Sequence, residues 1–336
     1  MKKTRIFITG IAGFLGSHLA KWALSNNYEV LGADNLSLGH KKNIPKGVQF
    51  YEYDILDLEK NNLYLKDVDI VFHSAGYPYD NFSLYSPFKV VQNTFSTTAS
   101  VLSASISNHV KRFIYCSSMS RYGDNKSPFT EDMSPKPLTP YAVAKTAGEN
   151  LIKSLAQAHD FEYVICIPHN IFGPQQVYND PYRNAVSLIA NQMLNNKPPL
   201  IYGDGAQKRA FTPVQDLIPL FPKLLFWEKA KNQTINIGPD EEVINLNDLI
   251  KILNGILSKN LKPFYKPFRQ QEVKTAICSA KKSRELLGYK KAISLKTALK
   301  ELVGWIQQQG PSYFSYHQKP EIDKDYFPVN WKQKIL

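Results

Sequence analysis

The stretch Arg5-Ile-Phe-Ile-Thr9-Gly10-Ile-Ala-Gly13-Phe-Leu-Gly16 decides the fold. Arg5 to Thr9 is a short, largely apolar run of the kind that forms a strand covered on both faces. Glycines at 10, 13 and 16 follow, and Leu15 to Ser25 then carries a helical pattern. A tight strand-to-helix turn needs glycine for backbone freedom and for the close approach of a pyrophosphate. The helix N-terminus then supplies free N–H groups and a dipole that favours the anion. Three glycines alone also make an ordinary structural turn, so the surroundings must decide.

Working outward, further short apolar runs at Glu29 to Ala33, Val48 to Tyr53, Asp69 to His73, Arg112 to Cys116 and Tyr163 to Ile167 read as strands. Helical patterns at Val90 to Ser107 and Tyr141 to Ala158 lie between them. Alternating strand and helix predicts an α/β fold, a doubly wound parallel sheet with right-handed crossovers. The second strand ends at Asp34, followed by Asn35; a carboxylate there accepts both hydroxyls of an adenosine ribose and repels a 2′-phosphate, so the cofactor is expected to be NAD and not NADP. Lys41 and Lys42 fall several residues beyond that strand end. Asp54 and Ile55 follow the third strand, where an adenine edge would lie. Gly10, Gly13, Phe14, Leu15, Gly16, Asp34, Asn35, Asp54 and Ile55 are therefore candidate cofactor residues.

Past about Pro168 the alternation weakens. Asn195-Asn196-Lys197-Pro198-Pro199 interrupts it, and helices are expected at Leu246 to Leu257 and Ser279 to Leu287. The expected organisation is a dinucleotide-binding domain over residues 1–167, with a returning part near 209–238. A smaller, mixed C-terminal substrate-binding cap is expected from 168–208 and 239–310. Residues 311–336 form a tail rich in aromatics, proline and charge, either packed on the surface or disordered.

Composition agrees with a folded chain of about two domains: 336 residues, 43% hydrophobic and 21% charged. The net charge of +12 is spread over isolated lysines and pairs such as Lys281-Lys282 and Lys290-Lys291. With no basic block, it suits a small anionic substrate better than nucleic acid. Cys116, Cys166 and Cys278 are far apart and form no CxxC pair, so no metal is expected, and reduced thiols point to a cytoplasmic protein. Met1-Lys2-Lys3 before an apolar run imitates a secretory signal, but the glycines break that run. No apolar segment is long enough to span a membrane.

Tyr141-Ala-Val-Ala-Lys145 places a phenol and an ammonium one helical turn apart on one face. A phenol of ordinary pKa, about 10, is too weakly acidic to serve as a base at neutral pH. A unit positive charge about 4 Å away at an effective dielectric of ~20 contributes about 4 kcal/mol, which brings the phenol near 7. Alone, such a pair is also what an exposed helix shows. Ser117 and Ser118, however, close the strand Arg112 to Cys116 at the carboxyl edge, where open α/β sheets bind ligands. A serine hydroxyl there bridges a substrate hydroxyl and the phenol.

These stretches resemble the extended short-chain dehydrogenase/reductases, specifically nucleotide-sugar epimerases and dehydratases of the UDP-galactose/UDP-N-acetylglucosamine 4-epimerase type, with a Rossmann-type sheet. The resemblance runs over about residues 4–308. It includes Thr9 to Gly16, Asp34-Asn-Leu-Ser37, His73-Ser-Ala75, Ser117-Ser118, Tyr122-Gly123, Tyr141 to Lys145 with Glu149, Asn170-Ile-Phe-Gly-Pro174, Gly203-Asp-Gly205 and Arg209-Ala-Phe211. It implies a catalytic set of Ser118, Tyr141 and Lys145, with Lys145 also holding the nicotinamide ribose and Ala75 beside the cofactor. Asn170, Arg209 and Arg269 match positions that grip the nucleotide diphosphate. Asn93 matches an asparagine that is structural or near the cofactor. A homodimer is the family expectation.

Within that family all members begin by moving the C4 hydride to NAD. Dehydratases then use an Asp-Glu pair directly after the catalytic Ser or Thr. Met119 and Ser120 stand there, and decarboxylases keep a Glu where Ser120 is. The expected reaction is therefore C4 epimerisation through a transient 4-keto sugar. The family's pocket-size position, counted from Arg269, falls on Ala276, whose small side chain implies tolerance of UDP-N-acetylhexosamines besides UDP-glucose and UDP-galactose. Alternatives are a UDP-uronate epimerase, a 4-keto-sugar reductase, and a non-catalytic dinucleotide-binding regulator, which retention of the Tyr/Lys pair argues against. Arg121 replaces a small apolar residue and either meets a sugar carboxylate or points to solvent. Ile167, Gln175, Pro213 and Gln215 also depart from the family pattern.

Overall fold

A computed structural model describes residues 2–183, 185–269, 273–322 and 331. In its first half, strands β1 (Arg5–Thr9), β2 (Glu29–Asp34), β3 (Gln49–Glu52), β4 (Ile70–His73), β5 (Arg112–Cys116) and β6 (Glu162–Pro168) alternate with helices. Those helices are α1 (Phe14–Ser25), α2 (Leu58–Tyr64), α3 (Pro87–Val91), α4 (Thr97–Ser107) and α5 (Pro140–His159). A π turn at Gln92–Ser96 joins α3 to α4, so the helix expected from Val90 starts earlier, at a proline suited to a first turn. A seventh strand, Gln233–Ile237, returns from the second half to pair with β6. Its five residues lie too far from the alternating block for that pattern to predict them as a strand.

The sheet order is Gln233–Ile237, β6, β5, β4, β1, β2, β3, parallel throughout. The order in which successive strands are added reverses between β1 and β4, which makes their carboxyl ends the expected ligand crevice. Helices cover both faces, one over a core containing Ile6, Ile8 and Phe72, the other over Phe7, Val71 and Phe113. Buried neutral His73 fastens the crevice. Its ring nitrogens bond Thr9 of β1 at 2.8 Å and Thr98 of α4 at 3.0 Å, and burial pushes its pKa down to about 3.

The second half supplies smaller sheets and the helices Ala185–Leu194, Leu246–Leu257 and Leu295–Gln309, which share their own apolar core. Helix Lys281–Leu287 begins two residues later than Ser279, the expected start. Of the tail, residues 311–322 run along the surface. Ser315 N–H donates to the Asn179 carbonyl, and Glu321 accepts the Phe88 and Lys89 N–H groups. Trp331 packs among Phe82, Tyr85 and Tyr182. The rest of the expected tail, 323–330 and 332–336, lies outside the described residues.

Candidate active site

A cavity of about 430 Å³ opens at the crevice, within the size range of small-molecule sites. Gly10, Gly13, Phe14, Leu15, Asp34, Asn35, Asp54, Ile55 and Ala75 line it, as do Ser118, Tyr141, Lys145, Asn170, Arg209 and Ala276. Gly16 does not; it packs behind the turn, where a Cβ would collide with the Gly10 carbonyl. Arg269 is also absent from the wall. Its guanidinium stacks 3.8 Å over the Tyr202 ring and 5.4 Å from Trp331.

The end of the cavity near β1 and β2 fits a dinucleotide. Gly10 has φ 69°, and a Cβ there would lie 2.9 Å from the Ala75 backbone. Helix α1 has no side-chain cap, which leaves its first-turn amides available to an anion. Asp34 accepts the Ala12 N–H at 3.1 Å and the Leu36 N–H at 2.8 Å, and burial raises its pKa. Asn35 donates to Asp54 at 3.2 Å. Lys41 is engaged with Glu52 at 3.2 Å and Lys42 with Gln309 at 2.7 Å, so both are drawn away from a 2′-phosphate.

At the other end α5 presents the reactive pair. Thr139 caps the helix through the Ala142 N–H, Pro140 occupies its first turn, and the chain leaves it at Asp160 in a left-handed conformation. Tyr141 is 7% exposed and Lys145 4% exposed. The Lys145 ammonium donates to the Cys116 carbonyl at 2.7 Å and lies 4.8 Å from the Tyr115 ring; burial lowers its pKa to about 8. Burial, then the charge of Asp80, pushes the Tyr141 phenol above its ordinary value, while Ser118 and Arg183 pull it down. In the protein alone this direction is opposite to the one the Tyr/Lys spacing suggests. The charge of an oxidised nicotinamide would oppose it.

Arg121 differs from expectation, while Asn170 and Arg209 line the cavity and bond nearby carbonyls. Arg121 neither faces solvent nor meets the cavity: it is buried against Glu149 of α5, Nε to Oε2 3.1 Å. Asn170 donates to the Ala210 carbonyl at 2.9 Å. Arg209 donates to the carbonyls of Lys208 at 2.9 Å and Val273 at 2.7 Å, and pairs in register with Ala276.

Sequence reasoning missed two charged residues on the wall, Asp80 and Arg183. Arg183 pairs with Asp180 at 3.3 Å and lies 5.0 Å from the Tyr79 ring. Asp80 accepts hydroxyl bonds from Ser120 at 2.7 Å and from Thr139. The available signal for Asp80 was its loop, which leaves β4 at the carboxyl edge of the sheet.

A parallel sheet with a glycine turn, a carboxylate at the end of β2 and a Ser/Tyr/Lys set on one cavity points to a dinucleotide-dependent enzyme. Residues 6–238 match the NAD dependent epimerase/dehydratase family. A putative UDP-glucose 4-epimerase of Methanocaldococcus jannaschii is 33% identical, covering 90% of this chain and 98% of its own. The UDP-glucose 4-epimerase of Thermotoga maritima, solved with UDP-glucose, superposes with a TM-score of 0.85 at 30% identity, covering 91% of this chain and 99% of that one. The UDP-glucuronic acid 4-epimerase of Bacillus cereus, solved with UDP-glucuronic acid and NAD, gives 0.85 at 30% identity, covering 91% and 100%. The chain belongs to the NAD dependent epimerase/dehydratase family. Among the described residues, no helix is long and apolar enough to cross a membrane.

Proposed function

We propose that this protein inverts C4 of a UDP-linked hexose through a 4-keto intermediate, with NAD retained. The carrying observation is that Ser118, Tyr141 and Lys145 line the same cavity as Gly10 and Asp34. Bound NAD supplies reversible hydride acceptance at C4. Gly10, Gly13 and Asp34 hold the dinucleotide, Lys145 fixes the nicotinamide-side ribose, and Ser118 with Tyr141 engages the C4 hydroxyl and its proton. Asn170 and Arg209, on the cavity wall, serve the diphosphate. Ala276 leaves space for an N-acetyl group. A UDP-uronate is the second reading, favoured by the Arg183 guanidinium on the cavity wall.

The division into a dinucleotide domain (1–167, returning near 209–238) and a cap (168–208 and 239–310) belongs to the same reading. So do a cytoplasmic location and a homodimer; exposed Phe88 on α3 and Val143 on α5 offer apolar contacts for the dimer. A substrate deuterated at C4 tests the reaction. The C4-inverted product should keep its deuterium, because the same hydride returns. Exchange with solvent, or a need for added reduced cofactor, would contradict the proposal in favour of a 4-keto-sugar reductase.

A further inference from the structure

Asp80 has no part in the roles assigned above. It lies on the loop leaving β4 and forms part of the cavity wall. Its Oδ2 accepts the Ser120 hydroxyl at 2.7 Å, and Ser120 belongs to the turn that Ser118 opens. Its Oδ1 accepts the hydroxyl of Thr139, the N-cap of α5, which stands just before Pro140 and Tyr141. An ionised carboxylate only accepts, so each hydroxyl must turn its single hydrogen toward Asp80 and keeps its oxygen free to accept. Thr139 Oγ1 then takes the Ala142 N–H at 3.2 Å, and Ser120 Oγ takes the Ser118 hydroxyl at 3.2 Å. Ser118 Oγ in turn accepts the Ser120 N–H at 3.2 Å and bonds the Tyr141 phenol. The same loop reaches the helix a second time, where Ser83 Oγ accepts the Tyr141 N–H at 3.1 Å. These contacts close a ring, from Asp80 to Ser120, Ser118 and Tyr141, and back through the first turn of α5 and Thr139.

Resting on the epimerase reading, we propose that Asp80 is a positioning residue for the reaction: its carboxylate ties the turn of Ser118 to the helix of Tyr141 and sets the approach of their two hydroxyls to the sugar. Tyr141 remains the group that takes the C4 hydroxyl proton and returns it. The serine follows β5 and the phenol opens α5, so their separation depends on contacts between elements. An error of about 1 Å in such a pair costs on the order of a hundredfold in rate. Asp80 also brings charge to the site. That charge disfavours the ionised phenol, while the Ser118 bond and Arg183 favour it. The titratable and charged groups around the phenol are Asp80, Tyr77 and Tyr79 from the loop, Tyr115 and Cys116 from β5, Lys145 from α5 and Arg183 from the cap.

The test compares kcat against pH for the parent, Asp80→Asn and Ser120→Ala, with KM and bound NAD measured for each. Asparagine keeps the shape of Asp80, removes its charge and turns an N–H toward one of the two hydroxyls. Ser120→Ala cuts the tie and keeps the charge. Both should lower the pH-independent kcat about tenfold or more at little cost in KM or bound NAD. Only Asp80→Asn should move the acid limb to lower pH, because a phenol freed of a neighbouring negative charge ionises more readily. An unchanged plateau in both variants overturns the proposal. So does a plateau lost together with KM and NAD while the limb stays in place, since Asp80 would then support the fold alone. Carbon-13 spectra of tyrosine-labelled protein read the tie without turnover, with the Tyr141 Cζ resonance assigned by its loss in Tyr141→Phe. That resonance should shift in both variants. A shift supports the tie even if no UDP-sugar reacts, an outcome that counts against the epimerase reading alone. The resonance unmoved in both variants overturns the proposal.

Discussion

Arg121 and Glu149 meet 3.1 Å apart behind the strand end that carries Ser118, with side chains only 4% and 1% exposed. Glu149 also accepts the Ser117 hydroxyl. Burial raises the Glu149 pKa and Arg121 opposes that rise. Removing one partner strands the other in a low-dielectric interior. Arg121→Ala should therefore destabilise the fold by about 3–5 kcal/mol, measured by urea unfolding at neutral pH. A change below about 1 kcal/mol would mean that water reaches Glu149.

Gly10→Ala meets both a left-handed backbone and the Ala75 backbone at 2.9 Å. Strain of about 1–3 kcal/mol should fall on the turn proposed to receive the pyrophosphate, weakening NAD retention about tenfold or more. Acid-released nucleotide per protein chain reads this, with circular dichroism confirming the fold.

Tyr141→Phe removes the hydroxyl and keeps the ring. The expected result is a fall in kcat of about 100- to 10,000-fold with NAD still bound. Unchanged turnover would remove Tyr141 from the mechanism.

Lys145 is charged in the folded protein only below about pH 8, whereas its ordinary value is 10.5. Between those values the unfolded chain binds a proton that the folded one does not, so stability rises with pH across that window. The cost of burying the ammonium is complete below about pH 8 and fades toward 10.5. Lys145→Met should raise the free energy of unfolding at pH 7 by on the order of 1 kcal/mol, with the gain vanishing near pH 10.5, while turnover is lost. A gain independent of pH would place the effect in packing and not in the charge.

Ala276→Tyr should selectively reduce turnover of UDP-N-acetylhexosamines over UDP-glucose, read as a ratio of kcat/KM. Equal loss for both sugars would remove Ala276 as the size gate.

The periodicity of the first half was legible because each strand is short, apolar and bounded by turn residues. β1 and β5 coincide with their expected limits, and Asp34 ends β2 on the cavity wall. The family follows from motifs whose spacing is set by local geometry, such as the turn at Gly10 and the helical step from Tyr141 to Lys145. Asp80, Arg183 and the Arg121–Glu149 pair were not legible, because each depends on contacts between elements. Asp80 reaches Ser120 across 40 residues of sequence, and Arg121 reaches Glu149 from a different element. The phenol's upward push has the same origin: helical spacing places Lys145 near Tyr141, but only the fold buries the phenol and brings Asp80 near it. The strand Gln233–Ile237 is fixed by pairing with β6, a long-range partner that no local pattern announces.

The most direct measurement is proton NMR of UDP-glucose, UDP-N-acetylglucosamine and UDP-glucuronate, each incubated with purified protein and no added reductant. The account predicts a C4-inverted product from at least one of them, approached equally from the C4 epimer. Failure to convert any of the three by protein that carries bound NAD would contradict it.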